Sequence, residues 1–339
     1  MKSIYDMSLI DLENYFVDKG DKKFRASQVF DWLYIKKVDS FDEMTNLKKE
    51  VIESLKNDFF IKNLTITKTE EDKDVSKYLF RLNDSEKIEA VLMNHDYGNS
   101  LCISTQVGCN MGCRFCESGR LKKVRNLTTG EMVEQILLIE NTKKIRISHV
   151  VVMGIGEPFD NYNNLIKFIE IINNPKGLAL GSRHITVSTC GIIPKIKDFS
   201  KLPYQVNLAI SLHGATDEKR SSIMPINKVY PLVSLIETLK DYIKITNRRV
   251  TFEYILLKDV NDTLEDAKNL ANLVRGMNCY INLIPYNETS NIAYKRSSKE
   301  NIDRFYDILK EERINVTVRR EFGSKISAAC GQLRSKKED

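Results

Sequence analysis

The sequence predicts an α/β protein built on an incomplete TIM-like barrel of six βα units, (βα)6, with a small helical domain and a β-rich linker in front of it. First, from about Ser100 the chain alternates apolar, β-rich runs with helical segments of roughly ten to fifteen residues, the pattern of βαβ units and a parallel sheet. Second, six such strands fit before Asn287, and the roughly 230 residues from Ser100 to Cys330 fall short of the about 250 that a full eight-stranded barrel takes. Third, the first sixty or so residues carry apolar positions at helical rather than alternating spacing. With 339 residues, 42% hydrophobic and 29% charged, the chain is neither disordered nor fibrous.

The elements follow in order. Ser8 with Asp11 three residues on resembles a capping box ahead of Leu9, Leu12, Tyr15 and Phe16, and Gly20 sits where that helix would stop. A second helix is expected from Arg25 to Lys37, carrying Val29, Phe30, Leu33 and the only tryptophan, Trp32. A third is expected from about Glu43 to Asp58 on Leu47, Val51 and Leu55. After Asp58 short alternating runs, LTITKTE, KYLFRLN, KIEAVLM and SLCISTQ, read as a small meander. The strands HVVVMGIG, HITVSTCG, VNLAISLH, VTFEYILL and YINLIPYN complete the barrel. The expected organisation is therefore 1–60 helical, 61–98 β linker, 99–333 barrel and 334–339 a basic, polar tail. In such a barrel, function sits at the C-terminal strand ends. There lie Gly154, Gly156 and Glu157, then Ser188 and Thr189, then Ser211 and His213, then Asn287. The segment GIGEP is no phosphate loop, lacking both the third glycine of a dinucleotide fingerprint and a Gly-Lys-Ser/Thr.

The net charge of +6 is mild but localised. Arg114, Arg120, Lys122, Lys123 and Arg125 face one acid, Glu117, and from Arg313 onward seven basic residues face three acids, so a polyanionic partner suits both segments. No apolar run reaches the length of a membrane span, and Asp6, Asp11 and Glu13 interrupt the first apolar stretch, unlike a signal-peptide core. A cytoplasmic protein without membrane contact, a monomer, is expected.

Seven cysteines in such a chain point to metal binding or catalysis rather than disulfide staples. Cys109, Cys113 and Cys116 place three thiolates within eight residues after a strand, a density that selects zinc, Cu(I) or an iron–sulfur cluster. A structural zinc site needs four ligands, and no second Cys-x-x-Cys or His pair exists in the chain. Three ligands on a four-iron cluster leave one iron open, which marks a reactive cluster. A zinc-bearing, non-catalytic RNA-binding protein is the competing reading.

The Cys-x3-Cys-x2-Cys spacing, with Phe115 before the last cysteine, resembles the radical S-adenosylmethionine (SAM) superfamily signature. GNSLCISTQVGCNMGCRFC, VVMGIGEPFDN, HITVSTCGIIP, VNLAISLHGATDEKR, MPINKVYP, VNDTLEDA, INLIPYN and AACGQL follow one another as in the dual-specificity RNA methyltransferase family that methylates C2 of adenine in 23S ribosomal RNA and tRNA. The resemblance spans Lys23 to Leu333. It implies a radical SAM barrel, with residues 1–60 as an RNA-binding accessory domain, and a [4Fe-4S] cluster on Cys109, Cys113 and Cys116 whose open iron chelates SAM. Gly156 and Glu157 match the family's glycine–glutamate SAM contact, and Ser188, Ser211, Leu212, His213 and Asn287 fall on its other SAM positions.

The resemblance also implies a route to an unactivated ring carbon. C2 of adenine, between two ring nitrogens, is too electron-poor to attack a methyl sulfonium. In the family, Cys330 takes a methyl group from one SAM, a second SAM yields a deoxyadenosyl radical, and hydrogen abstraction from the S-methyl group gives a carbon radical that adds to the base. Two SAM are thus used per turnover. Glu89 matches the family's proton acceptor. Cys102 matches the cysteine that releases the product by forming a disulfide with Cys330, which then needs re-reduction.

The implied partners are 23S rRNA before full ribosome assembly, tRNA, and an electron donor such as flavodoxin or ferredoxin. A close relative that methylates C8 of the same rRNA adenine, and so confers antibiotic resistance, shares these residues. Pro158, Ala209, Ile210 and Pro285 resemble the C2 enzyme instead. Glu117, where the family often has Ala or Ser, is a departure that places a charge beside the cluster. Taken without the resemblance, Cys102 and Cys330 would be packed thiols and Glu89 an exposed strand acid. Cys190 and Cys279 are expected in the core, Met153 and Met224 in packing, and His149 and His184 in structural roles at the far end of the strands. Arg120, Lys122, Lys123 and Arg125 are candidate phosphate contacts.

Overall fold

The computed structural model describes residues 1–319, 326, 328 and 331–333; the expectations at Cys330 and for the 334–339 tail lie outside them. A short strand β1 (Lys2–Ser3) pairs in parallel with β2 (Phe59–Phe60), and the helices between them form the N-terminal module. Helix α1 (Leu9–Asp18) begins at a true capping box, in which Ser8 Oγ accepts from the Asp11 amide and the Asp11 carboxylate accepts from the Ser8 amide. Helix α2 (Phe24–Phe30) does not run regularly to Lys37: Asp31–Lys36 is π-helical and ends on Lys37 at φ 54°. The third helix also starts later than expected. Ser40 caps a 3-10 turn at Phe41–Glu43, and α3 occupies only Lys49–Asp58. The capping box at Ser40 starts that turn, the Met44 amide closes it on Phe41 O, and Asn46 is engaged by the Trp32 indole, which donates to its side-chain oxygen at 2.6 Å.

Strands β3 (Leu64–Asp72), β4 (Val75–Leu82), β5 (Lys87–His95) and β6 (Gly98–Cys102) form an antiparallel meander. They are not a separate linker sheet. After the two-stranded ribbon of β7 (Gln106–Val107) and β8 (Arg125–Asn126) and helix α4 (Thr129–Lys143), strand β9 (Ile147–Val152) pairs in parallel with β6. Then come α5 (Tyr162–Asn173), β10 (Ile185–Thr189), α6 (Ile193–Phe199), β11 (Asn207–Ser211), α7 (Asp217–Ile223), α8 (Leu232–Thr246), β12 (Val250–Leu256), α9 (Leu264–Val274), β13 (Cys279–Pro285), α10 (Lys299–Glu311) and β14 (Val316–Val318). One open ten-stranded sheet results, in the order β14-β13-β12-β11-β10-β9-β6-β5-β4-β3. Its parallel part has the six expected strands plus a seventh, β14, whose three residues are too few for a periodicity to show.

Residues paired across neighbouring strands share a face, because side chains alternate along each strand. Cys102, Val151, Thr186 and Asn207 therefore form one row across the inner face, and Ser211, Glu253 and Asn282 form another nearer the C-terminal ends. The outer face is packed by helices. One apolar core joins Phe16, Phe30, Tyr34 and Phe59 of the helical module to Leu137 and Phe168 of the barrel helices, so the module has no core of its own. Trp32 is half-buried against this core, with the Lys36 ammonium 3.4 Å from its ring centroid. Polar ties add direction: the Asp6 carboxylate accepts from the Gly130 amide at 2.7 Å, and Glu134 accepts from the amides of Asn63 and Leu64.

Candidate active site

The three clustered cysteines sit on a loop whose base is fastened by the β7–β8 ribbon. Inside it the Cys109 amide donates to Leu121 O at 3.1 Å and the Cys116 amide to Cys113 O at 3.2 Å. Gly108 makes the turn into the loop at φ +73°, and a Cβ there would lie 2.2 Å from Lys122 O, so both conformation and space require glycine. Gly156 opens the facing wall at φ +107°, where a Cβ would meet the Gln106 side chain at 2.6 Å.

Cys109, Cys113 and Cys116 line one cavity of about 150 Å³. Of the SAM positions expected by resemblance, Gly156, Glu157, Ser188, Ser211 and His213 stand on its walls. Leu212 and Asn287 are buried but do not line it; Leu212 instead donates its amide to Glu253 O at 3.0 Å. The Glu157 carboxylate is fixed on both oxygens, Oε1 accepting from the Phe159 amide at 3.0 Å and Oε2 from the Cys190 amide at 2.8 Å. Its burial pushes the acid up from the ordinary carboxylate value. His213, at φ 57°, accepts the Ile255 amide on Nδ1 at 3.0 Å, so its neutral ring carries the proton on Nε2. Burial, with the Arg220 charge second, pulls this imidazole down to about 3.

Arg220 is fully buried beneath the site. It donates to Cys190 O, Leu212 O and the Asn227 side chain, and so ties the ends of β10 and β11 to α7.

The donor set fits a cluster. Three soft thiols share one cavity, and burial pushes Cys109 up to about 12 and Cys113 well above its ordinary value. A bound metal reverses that cost, because a coordinating thiol is deprotonated outright. Among the described residues no group of three or more His, Cys, Asp or Glu side chains is arranged around a single metal position. A polynuclear cluster instead takes one thiolate per iron. Cys190 packs in a core cluster with Phe115, Ile223 and Met224, as expected, and also stands on the wall, where its thiol meets Glu157.

Other wall residues escaped the sequence reading. Met153 and Met224 pack in apolar clusters as expected and also line the cavity, as do Glu253 and Arg319. Glu253 carries a legible signal: a single acid amid the apolar and aromatic residues of VTFEYILL. Its Oε1 accepts from Asn282 at 2.9 Å, while its buried Oε2 has no hydrogen-bond partner and lies 3.8 Å from Arg319. Arg319 carries no such signal; only the register of β13 and β14 brings it inward.

Glu89 is buried rather than exposed, 3.7 Å from the Lys77 ammonium, and its carbonyl accepts from Ser104 Oγ at 2.6 Å. Cys102 packs in an inner-face cluster with Val91, Met93, Ile155, Ala328 and Leu333. The described residues flanking position 330 thus reach the site: Gly331 lines the cavity and accepts from the Glu117 amide at 2.9 Å, and Leu333 O accepts from Ser118 Oγ at 2.8 Å. Glu117 is itself buried, its Oε1 accepting from Asn291. Of the basic run after the thiols, Lys123 is paired with Asp160 and Arg125 with Asp84 and Glu131, which makes them structural ties rather than open phosphate contacts; Arg114, Arg120 and Lys122 are exposed.

Comparison with known proteins gives consistent results. Residues 103–273 match the radical SAM superfamily model, and residues 2–61 match the model of the ribosomal RNA large subunit methyltransferase N-terminal domain. The chain is 52% identical to a probable dual-specificity RNA methyltransferase RlmN of Spiroplasma citri, covering 100% of this chain and 99% of the relative. It is 51% identical to one from Acholeplasma laidlawii over 98% of each. A crystal structure of a radical SAM methyltransferase from Sphaerobacter thermophilus superposes with a TM-score of 0.94 at 40% identity, covering 98% of this chain and 99% of that one.

Proposed function

The chain belongs to the RlmN family of radical SAM dual-specificity RNA methyltransferases, and from that membership we propose that it methylates C2 of an adenine in 23S rRNA and of one in tRNA. The observation that carries the reading is the meeting of Cys109, Cys113, Cys116, Gly156, Glu157, Ser188, Ser211 and His213 on one cavity, with the Cys102 cluster on the same inner face.

Cys109, Cys113 and Cys116 would hold the [4Fe-4S] cluster, which supplies the electron that breaks a SAM carbon–sulfur bond homolytically. Glu157 presents a carboxylate suited to an ammonium group, and Ser188 and Ser211 present hydroxyls suited to the ribose and adenine of SAM. His213, neutral with Nε2–H, offers a donor that does not change charge at working pH. Cys330 is assigned as the residue that carries the methyl group, as a thiolate is fitted to do. Glu89, buried beside Lys77, takes the proton from the ring carbon. Cys102 then attacks the Cys330 sulfur and breaks its bond to the carbon now attached to the base; that carbon keeps the electron pair and takes a proton from solvent, which releases the RNA. A thiol reductant restores the Cys102–Cys330 pair, and a flavodoxin- or ferredoxin-class donor supplies the electron for SAM cleavage.

Among the described residues no helix is long and apolar enough to cross a membrane. We assign action as a monomer in the cytoplasm, on rRNA before assembly is complete. Residues 1–60 serve as the RNA-binding module, 61–98 as the segment carrying Glu89, and 99–333 as the radical SAM barrel.

The test is the position of the methyl group, mapped by mass spectrometry of ribosomal RNA and tRNA from a strain lacking its own enzyme and supplied with this gene. A C2-methyl group is expected in both RNAs. A methyl group at C8 would assign the chain to the resistance activity, and none at all would remove the reading.

A further inference from the structure

Below the thiol cavity a second cavity opens at the N-terminal ends of the strands. This second cavity, of about 690 Å³, is walled at its rim by Arg183, Gln205, Arg248 and Arg249, and it meets the first cavity at Met153, Glu253 and Arg319, which line both. Its size lies within the range of small-ligand pockets, enough for an extruded nucleotide and too small for a duplex.

The rim is rich in cations held by neutral partners. Arg183 donates to the Gln205 side chain at 2.8 Å, Arg248 to the Asn207 side chain at 3.0 Å, and the Arg249 guanidinium lies 4.9 Å over the Tyr280 ring. Among the described residues none of these three arginines is paired with a carboxylate.

Beside the rim stands a ladder of rings that the function above does not use. His95 and Tyr97 stack at 4.6 Å, Tyr97 meets His149 edge-on at 5.1 Å, and His149 stacks on His184 at 4.4 Å. Tyr97 is 66% exposed, and Arg319 on the shared wall lies within electrostatic reach of its phenol. A cationic groove beside exposed rings is the arrangement that holds single-stranded nucleic acid, with phosphates on the arginines and bases on the rings.

We propose that this lower mouth is the port through which an unpaired segment of the RNA substrate enters. Phosphates lie along Arg183, Arg248 and Arg249, a base flanking the target stacks on the Tyr97–His184 ladder, and the target adenine passes up the lumen toward Met153 and Glu253. The inference rests on the RNA methyltransferase reading and adds to it the side from which the RNA comes.

The test uses full-length, anaerobically prepared holoenzyme and a fluorescent RNA hairpin with an unpaired adenine in its loop, with affinity measured across a salt series and methylation measured on the same hairpin. Tyr97→Ala should weaken binding at least about fivefold, the lower end of what one base–aromatic stack contributes, while Tyr97→Phe stays near wild type. The Arg183→Gln/Arg249→Gln double variant should flatten the slope of log affinity against log salt by about 1.4, as expected for two lost phosphate contacts on a single strand. Wild-type protein that methylates the hairpin, with all variants matching it in affinity and salt slope, overturns the port alone. Wild-type protein that neither binds nor methylates the hairpin overturns the function reading and the port with it.

Discussion

At the scale of single residues, the site works by fixing groups whose charge would otherwise vary. His213 is neutral down to about 3 because it is buried, while an unfolded histidine takes up a proton near 6.5. Between those values the unfolded chain binds more protons than the folded one, so the stability that a neutral His213 contributes is complete above about 6.5 and declines as pH falls toward 3. Replacing it by glutamine should lessen the loss of melting temperature between pH 7 and pH 5; an unchanged loss would mean that the ring titrates normally in the folded state. Cys102 is tested through its chemistry rather than its charge. Cys102→Ala should leave RNA covalently attached to the protein, visible as a denaturation-resistant adduct, and recovery of free, turned-over RNA would remove Cys102 from the release step. Glu253 offers another test, because its buried Oε2 makes no hydrogen bond and has only the Arg319 guanidinium, at 3.8 Å, to offset its charge. Glu253→Gln should weaken substrate or SAM binding without lowering iron content, and wild-type affinity for both ligands would show that Oε2 meets neither.

At the scale of elements, Arg220 and Glu134 hold strands and helices in the relation that the site needs. Arg220→Leu leaves the carbonyls of Cys190 and Leu212 without their donor, and each buried group so abandoned costs about 1–3 kcal/mol. A loss of about 2–4 kcal/mol in chemical denaturation is expected; a loss under about 0.5 kcal/mol, the usual surface value, would contradict the role. Glu134→Gln should cost about 1–3 kcal/mol, read by chemical denaturation, because its carbonyl can replace Oε2 for the Asn63 and Leu64 amides only by setting an NH2 against the Asn63 side-chain amide that Oε1 accepts.

These elements also show what sequence can carry. The Ser8–Asp11 capping box and the Cys109–Cys116 loop are local in chemistry, so their residues announce them. The π-helical turn at Asp31–Lys36 is invisible because its hydrophobic spacing is that of an ordinary helix. The convergence of Met153, Glu253 and Arg319 is invisible for another reason: it depends on parallel register across strands far apart in the chain. Fusion of the meander to the barrel likewise lies in one pairing, β6 with β9.

At the scale of the whole molecule, one sheet unites the parts that chemistry requires together. The meander carries Glu89 and Cys102, the residues proposed for proton removal and release, the parallel strands carry the polar groups of the cavity walls, and the helical module shares one core with both. The two cavities share Met153, Glu253 and Arg319, so the thiols at the C-terminal ends of the strands and the arginines at the N-terminal ends stand on either side of one short wall. Radical methyl transfer through a cysteine makes one demand that ordinary displacement does not: a hydrogen must leave the methyl group before carbon–carbon bond formation and be replaced by one from solvent at release. The direct measurement is the isotopic content of the product methyl group after turnover in ordinary water with SAM fully deuterated on its methyl. Two deuteriums retained on the adenine methyl, with the third found in deoxyadenosine, is the predicted result; a methyl group arriving with all three would contradict it.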